Sequence, residues 1–288
     1  MGDKMKNKID MHIHSDYSDG DYSPEKVVEL VKSSNISTFS LTDHDTIEGN
    51  LNIINYLDEG MEFITGVEMT GFIEKGELHI LGYDINLDNK PLIEELENQD
   101  KLSRVRVTKL IEYLRVKFGL DITKQEENKL LNKKGNVGRP SISKLLIEKG
   151  LANSVRDAFS KYLIEAHSFV KDDVKYLNAK EIIELIKGAD GIPVLAHPAF
   201  LQMPLDRLDE YVKELKGYGL MGLEVYHSKQ SSEYSEELHK LAKKHDLLIS
   251  FGSDYHGPNV KPDVFLGKTM HNTLEKDNIS LLNYIRSR

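Results

Sequence analysis

Residues 192–227 read IPVLAHPAFLQMPLDRLDEYVKELKGYGLMGLEVYH. A short apolar run, IPVLAHP, opens the stretch, a second, GLEVYH, closes it, and both carry a histidine at the end. Between them PLDRLDEYVKELKGYG spaces its apolar residues as a helix does. Strand, helix and strand at this length form the unit that connects parallel neighbours in a sheet.

The same alternation extends in both directions. NAKEIIELIKGAD (178–190) reads as a helix before this unit, and SEYSEELHKLAKKH (232–245) with LLISFGSDYHG (247–257) adds a helix and a strand after it. Near the start, KIDMHIH (8–14) alternates apolar and polar residues as a strand does. SPEKVVELVKSSN (23–35) follows, with Ser23 placed to cap a helix and Pro24 at its first position. TFSLTDH (38–44) is a strand, and TIEGNLNIINYLDEG (46–60) a helix closed by Gly60. EFITGVEMTGFI (62–73) and GELHILGYDI (76–85) are two more strands joined by a glycine-containing turn. Repeating βα units predict parallel strands, in a barrel or a wound sheet.

Residues 88–176 interrupt this rhythm. KPLIEELENQDKLSRVRVTKLIEYLRVKFG (90–119), SISKLLIEKG (141–150) and SVRDAFSKYLIE (154–165) are helical in pattern, and no strand is evident. The expected organisation is a barrel-type domain from 8–87 and 177–288, with 88–176 as a small helical insertion or lid. Charge follows the same division. Residues 101–175 hold 17 Lys and Arg against 9 Asp and Glu, whereas the whole chain carries a net charge of −9. A basic segment in an acidic body suits an anionic ligand beside a cation site, and the overall charge argues against general coating of nucleic acid.

At 288 residues, 39% hydrophobic and 30% charged, the composition is that of an ordinary globular protein. There is no cysteine, so disulfides and thiolate metal sites are excluded. The opening residues, MGDKMKNKID, contain no apolar leader and no run is long enough to span a bilayer, so a cytoplasmic location without a membrane partner is expected. No obligate protein partner is evident.

Histidine and carboxylate residues recur where strands stop. His12, His14 and Asp19 follow the first strand; Asp43 and His44 end the second in LTDHD; Glu68 lies in TGVEMT and His79 in ELHILGY. His197 ends PVLAHP, and Asp254 and His256 sit in GSDYHG. Strand ends of a (β/α) barrel converge on one mouth, which makes neighbours of residues far apart in sequence. An H-x-H pair on a strand presents both rings on one face, and imidazole with carboxylate suits Mn, Fe or Zn. A bridging carboxylate can hold two cations about 3.5–4 Å apart.

The order H-x-H…SDG, TDHD, GxE, H, AHP, GSDxHG resembles that of the PHP (polymerase and histidinol phosphatase) superfamily. VGRPSISKLLIEKGL and SVRDAFSKYL extend the resemblance into the insertion, towards members that act on nucleotides and RNA ends. The resemblance implies a distorted (β/α)7 barrel with an inserted helical domain and a centre of two to three divalent metal ions. One metal would be held by His12, His14, Glu68 and Asp254. A second would share Glu68 and add His79 and His197, and a third would take Asp19, His44 and His256. The implied reaction is phosphoester hydrolysis by a metal-bridging hydroxide, on a 3′,5′-bisphosphate nucleotide or the 5′ end of short RNA. A histidinol-phosphate-type monoesterase and a non-catalytic metal- or nucleotide-binding module are the competing readings.

Of the remaining polar residues, His227 in LEVYHSKQ is expected at the chemistry, binding phosphate or protonating the leaving group, with Glu224 in support. Asp43 and Asp10 are expected to orient ligands. Arg139 in NVGRPS is the first candidate for phosphate recognition, followed by Arg104 and then Arg106 in LSRVRV. His167, in LIEAHSFV, is read as a solvent-facing loop residue ahead of the alternative of a substrate contact, and Asp16 as a loop residue. His239 and His245 are read as solvated on a helix, and His271 as a loop residue without a role.

Overall fold

The computed structural model describes residues 8–170, 175–268 and 279–288, so His271 lies outside the described residues. Seven strands form one sheet in chain order: β1 (Lys8–Ile13), β2 (Ile36–Leu41), β3 (Glu62–Gly71), β4 (Leu78–Tyr83), β5 (Ile192–Leu195), β6 (Gly222–His227) and β7 (Leu248–Gly252). Just beyond β7 the chain turns onto β1: Asp254 N donates to His12 O and His14 N to Tyr255 O, both at 2.9 Å. These bonds bring the sheet close to closure, and the molecule is a nearly closed seven-stranded α/β barrel.

The expectation of parallel strands holds for every pair except those of β4, which runs antiparallel to both β3 and β5. The cause is the short connection after β3, since a turn of a few residues can close a hairpin but cannot carry a crossover. His79 therefore stands near the start of its strand, not at its end. Reversal brings that start to the same mouth as the ends of the parallel strands, with His79 opposite Thr70 of β3.

Helices cover the outside. α1 (Pro24–Ser33) begins as expected, with the Ser23 side chain accepting from Lys26 N, and buries Val27, Val28 and Val31. α2 (Glu48–Ile53) is shorter than its sequence pattern and passes into a 3₁₀ turn. α3 (Lys90–Phe118) runs for 29 residues from an Asn89 cap to Gly119, whose φ of 63° ends it. Leu92 and Leu96, near its start, join the core of the barrel, while Val107, Leu110, Ile111 and Leu114 join a separate apolar cluster. That cluster is completed by α5 (Arg139–Glu148), α6 (Val155–Ala158) and α7 (Ile164–Val170). A π-helical turn, Phe159–Leu163, joins the last two. α4 (Lys124–Leu131) lies between α3 and α5; the pattern search missed it, although Thr123 and Glu126 form a reciprocal capping box. The barrel is completed by α8 (Ala179–Gly188), α9 (Leu205–Tyr218), α10 (Ser232–Lys244) and α11 (Ser280–Ser287). Among the described residues no strand lies between α3 and α7, and no helix is long and apolar enough to cross a membrane.

Candidate metal centre

Glu68 stands at the middle of the mouth, fully buried on β3. Its two oxygens face two groups of rings. Oε2 lies 3.1 Å from His12 Nε2, 3.2 Å from His14 Nε2 and 3.2 Å from His44 Nδ1. Oε1 lies 3.0 Å from His79 Nδ1 and 2.8 Å from His197 Nε2. Asp254 Oδ1 adds contacts at 3.4 Å to His14 and 3.3 Å to His256, and Asp19 Oδ1 lies 3.1 Å from His256 Nε2. All nine residues expected as ligands thus meet at one place.

Among the described residues, three overlapping sets bring ligand atoms within 4.8 Å of one another: His12, His14, Glu68 and Asp254; His44, Glu68 and His79; and His14, Asp19, His44 and His256. The overlap is greater than the resemblance implies, because His14 and His44 each face two sets. His197 approaches the second set through Glu68 and lies 3.3 Å from His79 Nδ1.

The donor atoms suit cations better than one another. Glu68 Oε2 is buried with three ring nitrogens close by, yet none meets it in hydrogen-bonding geometry. Asp19 Oδ1 and the Nδ1 atoms of His44 and His197 are likewise buried without a hydrogen-bond partner. Imidazole and carboxylate converging without donors between them is the pattern a divalent ion completes. Burial opposes ionisation of Glu68, but the surrounding His12, His44 and His79 rings hold its pKa well below the ordinary value. Burial lowers His44 to about 3 and also lowers His197 and His256, leaving neutral rings with free lone pairs. Burial also opposes charge on His14, but the close carboxylates of Asp254, Glu68 and Asp19 prevail and raise it to about 9. A cation entering there displaces that proton.

A layer of buried polar groups fixes the rings from behind. Glu224 accepts from His12 Nδ1 at 2.9 Å and from His197 N at 2.7 Å, so it supports these two and not His227. Burial opposes charge on His12, but Glu68, Glu224 and Asp254 hold its pKa well above the ordinary value; with Nδ1 donating to Glu224, a cation that displaces the Nε2 proton meets a lone pair facing the cluster. A Cβ on Gly252 would sit 2.1 Å from His12 Cβ and 2.5 Å from Glu224 Oε1, so only glycine admits this contact. Asp10 accepts from Ser253 N and Gly267 N, tying β1 to the chain after β7. His197 (φ 24°) and Asp254 (φ 58°) both hold left-handed backbone, a strained arrangement found at sites that fix side-chain direction.

Two expected catalytic residues lie behind the site. His227 is fully buried; its Nδ1 accepts from Lys229 N at 3.1 Å, which leaves Nε2–H to donate to Asp254 Oδ2 at 3.2 Å. Both nitrogens are thereby used, and the ring orients Asp254. Asp43 is also fully buried, accepting from Ser15 N, Ser15 Oγ and Ser18 Oγ at 2.6–2.7 Å. It braces the loop that bears Asp19.

A cavity of about 270 Å³ opens from the cluster towards the helical segment. Arg139 lines it, at the first position of α5 and 3.5 Å from Glu77. Arg104 does not: its guanidinium donates to Asp100 and to the carbonyls of Leu131, Lys133 and Gly135, so this expectation is corrected. Arg106, ranked behind it, lines the cavity instead, 7% exposed, over the Tyr176 ring at 4.2 Å and with Nη1 buried and unpartnered. His167 also lines the cavity from α7, correcting the loop reading. Lys261 reaches the cavity and pairs with Asp254; sequence reading missed it because nothing in PNVKPD marks a site. His239 lies 3.2 Å from the Tyr226 hydroxyl and His245 2.5 Å from Asp209, so neither is merely solvated. Asp16 is exposed, as expected.

The chain is similar to several known proteins. The chain is 30% identical over 256 residues to a 5′-3′ exoribonuclease of Haemophilus influenzae, covering 88% of this chain and 92% of that one. It is 26% identical to a 3′,5′-nucleoside bisphosphate phosphatase of Chromobacterium violaceum, over 87% of each. A solved Bifidobacterium adolescentis structure, classed as a metal-dependent phosphoesterase, superposes with a TM-score of 0.79 at 29% identity, over 94% of both chains. Residues 10–179 match the PHP domain. The chain belongs to the PHP domain family and is a metal-dependent phosphoesterase.

Proposed function

We propose that this chain hydrolyses phosphoesters of nucleotides of the 3′,5′-bisphosphate type and of the 5′ ends of short RNA. The observation that carries the reading is the cavity with two chemically opposite walls. One wall is the Glu68-centred cluster; the other bears Arg106 and Arg139 and the N-terminus of α5, where Gly138 provides no side-chain cap. An uncapped helix start and a buried guanidinium with a free N–H both favour a phosphate. Phe159, Tyr176 and Phe200 line the same space and offer faces on which a base can stack. The volume suits one nucleotide unit, so a longer chain would enter by its end.

The ligand set is His12, His14, Asp19, His44, Glu68, His79, His197, Asp254 and His256, holding two to three ions of Mn, Fe or Zn. Bound ions would supply an activated water and neutralise charge on the phosphoryl oxygens. Arg106 and Arg139 bind the substrate's phosphates, and Lys261, beside Asp254, adds positive charge at the same wall. Glu224, His227, Asp43 and Asp10 orient the ligands. With nucleotides and RNA ends as substrates, the reading includes a cytoplasmic location.

The reading is tested by phosphate and nucleotide release in Mn²⁺ from adenosine 3′,5′-bisphosphate, a 5′-phosphorylated RNA tetramer and histidinol phosphate at equal concentration. Turnover of the first two is expected. Turnover of histidinol phosphate alone would sink the nucleotide assignment.

A further inference from the structure

The nine ligand residues are held in two different ways. His12, His197 and Asp254 are oriented from within the barrel, by Glu224 and His227. Asp19 and His44 lie beyond their strands, on loops, and the helical segment grips the backbone of both. Lys133 Nζ donates to Ser18 O at 2.7 Å, and Lys144 Nζ donates to Asp19 O and Gly20 O, both at 2.9 Å. Asn136 Nδ2 donates to His44 O at 3.0 Å and to Asp45 Oδ2 at 3.2 Å, while its backbone N–H reaches Tyr17 O at 2.7 Å. The contact is close: a Cβ on Gly135 would stand 1.8 Å from Tyr17 O, and Gly135 itself has φ 67°. Arg104 clamps this gripping loop from α3 through the carbonyls of Leu131, Lys133 and Gly135.

We propose that Lys133, Asn136 and Lys144 are positioning residues that complete the cation position formed by His14, Asp19, His44 and His256. The set of His12, His14, Glu68 and Asp254 rests on the strands and on polar groups inside the barrel, and the set of His44, Glu68 and His79 touches the helical segment only through His44. The inference depends on the reading that these clusters hold cations. On it, the helical segment does two jobs, since the same element that faces substrate also sets the geometry of one ion. Residues behind metal ligands are worth about 10- to 100-fold in affinity when removed.

The sign of the effect separates positioning from charge. Lys133→Met with Lys144→Met removes two positive charges beside Asp19, and by Coulomb's law alone this tightens a cation. Lost positioning weakens it. Equilibrium dialysis of the full chain against Mn²⁺, with bound metal counted per chain, should show the weakest class of ion weakened by about 10- to 100-fold in the double variant. The ion of His12, His14, Glu68 and Asp254 should keep its affinity, and Lys144→Arg should restore part of the loss. Asn136→Ala, which changes no charge, should weaken the same ion, and it decides the matter if the double variant fails to fold by urea titration. Unchanged or tighter binding of every ion, or equal weakening of all of them, overturns the proposal. So does a wild-type chain that binds only two ions, whereas a wild type that binds none refutes the metal centre itself.

Discussion

Replacing Glu224 by Gln changes one buried atom and should disturb the metal centre by more than its size suggests. Glu224 is fully buried and accepts twice, from His12 Nδ1 through Oε1 and from His197 N through Oε2. A glutamine presents one acceptor and one donor. If its oxygen stays with His197 N, its amide hydrogens face His12 and turn that ring to the tautomer with hydrogen on Nε2. That hydrogen then points at Glu68 and Asp254, where the lone pair is needed. If the amide flips, its NH₂ confronts His197 N–H and a buried donor is left unpaired, costing about 1–3 kcal/mol. Either way Mn²⁺ affinity should fall by about 10- to 100-fold, or ~1.4–2.7 kcal/mol. Calorimetric Mn²⁺ titration, paired with turnover at rising Mn²⁺, measures this, and excess metal should recover much of the rate. Unaltered Mn²⁺ affinity would refute the reasoning, and a lost rate with intact affinity would place Glu224 in the chemistry instead.

Arg104 and Arg106 on α3 should separate cleanly. Arg106→Met removes a buried charged donor from the cavity and should raise KM by about tenfold or more, given ~1.5–3 kcal/mol for such a bond, with little change in the urea midpoint. Arg104→Met should lower unfolding stability by about 1–3 kcal/mol, since it strips the contacts to three carbonyls; a KM effect as large as that of Arg106→Met would contradict this division. Gly135→Ala must place a side chain on left-handed backbone against Tyr17, and should cost more than about 1 kcal/mol in a thermal or urea melt. Glu126, hydrogen-bonded to Lys149 and to Thr123, is lowered from 4.5 to about 2. A depressed carboxylate stabilises the fold above its unfolded pKa and loses that contribution as pH falls through the folded value. Stability should therefore decline between about pH 5 and 2, and Glu126→Gln should flatten that decline; an unchanged profile would show that the cap at α4 contributes nothing.

The ligands of the candidate site were legible because their chemistry and their places coincide. Histidine and carboxylate at successive strand ends need only the barrel to be brought together; the βα rhythm of 178–257 marked parallel strands, and the family resemblance implied that they close into a barrel. Direction was not legible for β4, because a turn of a few residues decides it without changing the strand pattern. Roles behind the ligands were harder still. His227 and Glu224 alternate along one strand, and which of them faces a ring depends on side-chain direction across the barrel interior. Arg104 and Arg106 stand two positions apart on one helix, so they point to different sides, and only the lean of α3 over the mouth determines which side meets the cavity.

That lean has a mechanical meaning that follows from the reversed strand. Because β4 starts at the mouth, it ends at the opposite end of the barrel, paired through Tyr83 with Ile192 at the start of β5. The chain leaves it at the floor, where β5 also starts, so α3 rises to the mouth not to reach the next strand but to carry the helical segment there, over 29 residues, about 43 Å at 1.5 Å each. Its foot is seated among barrel residues through Leu92 and Leu96, and its upper half carries Arg104 and Arg106 to the mouth. Such a rod is a lever: a tilt of about 5° at the foot would carry Arg106, about 24 Å along the axis, by ~2 Å, more than a hydrogen bond can stretch. Residues at the floor of the barrel, far from the Glu68 cluster, therefore share control of where Arg106 stands in the cavity.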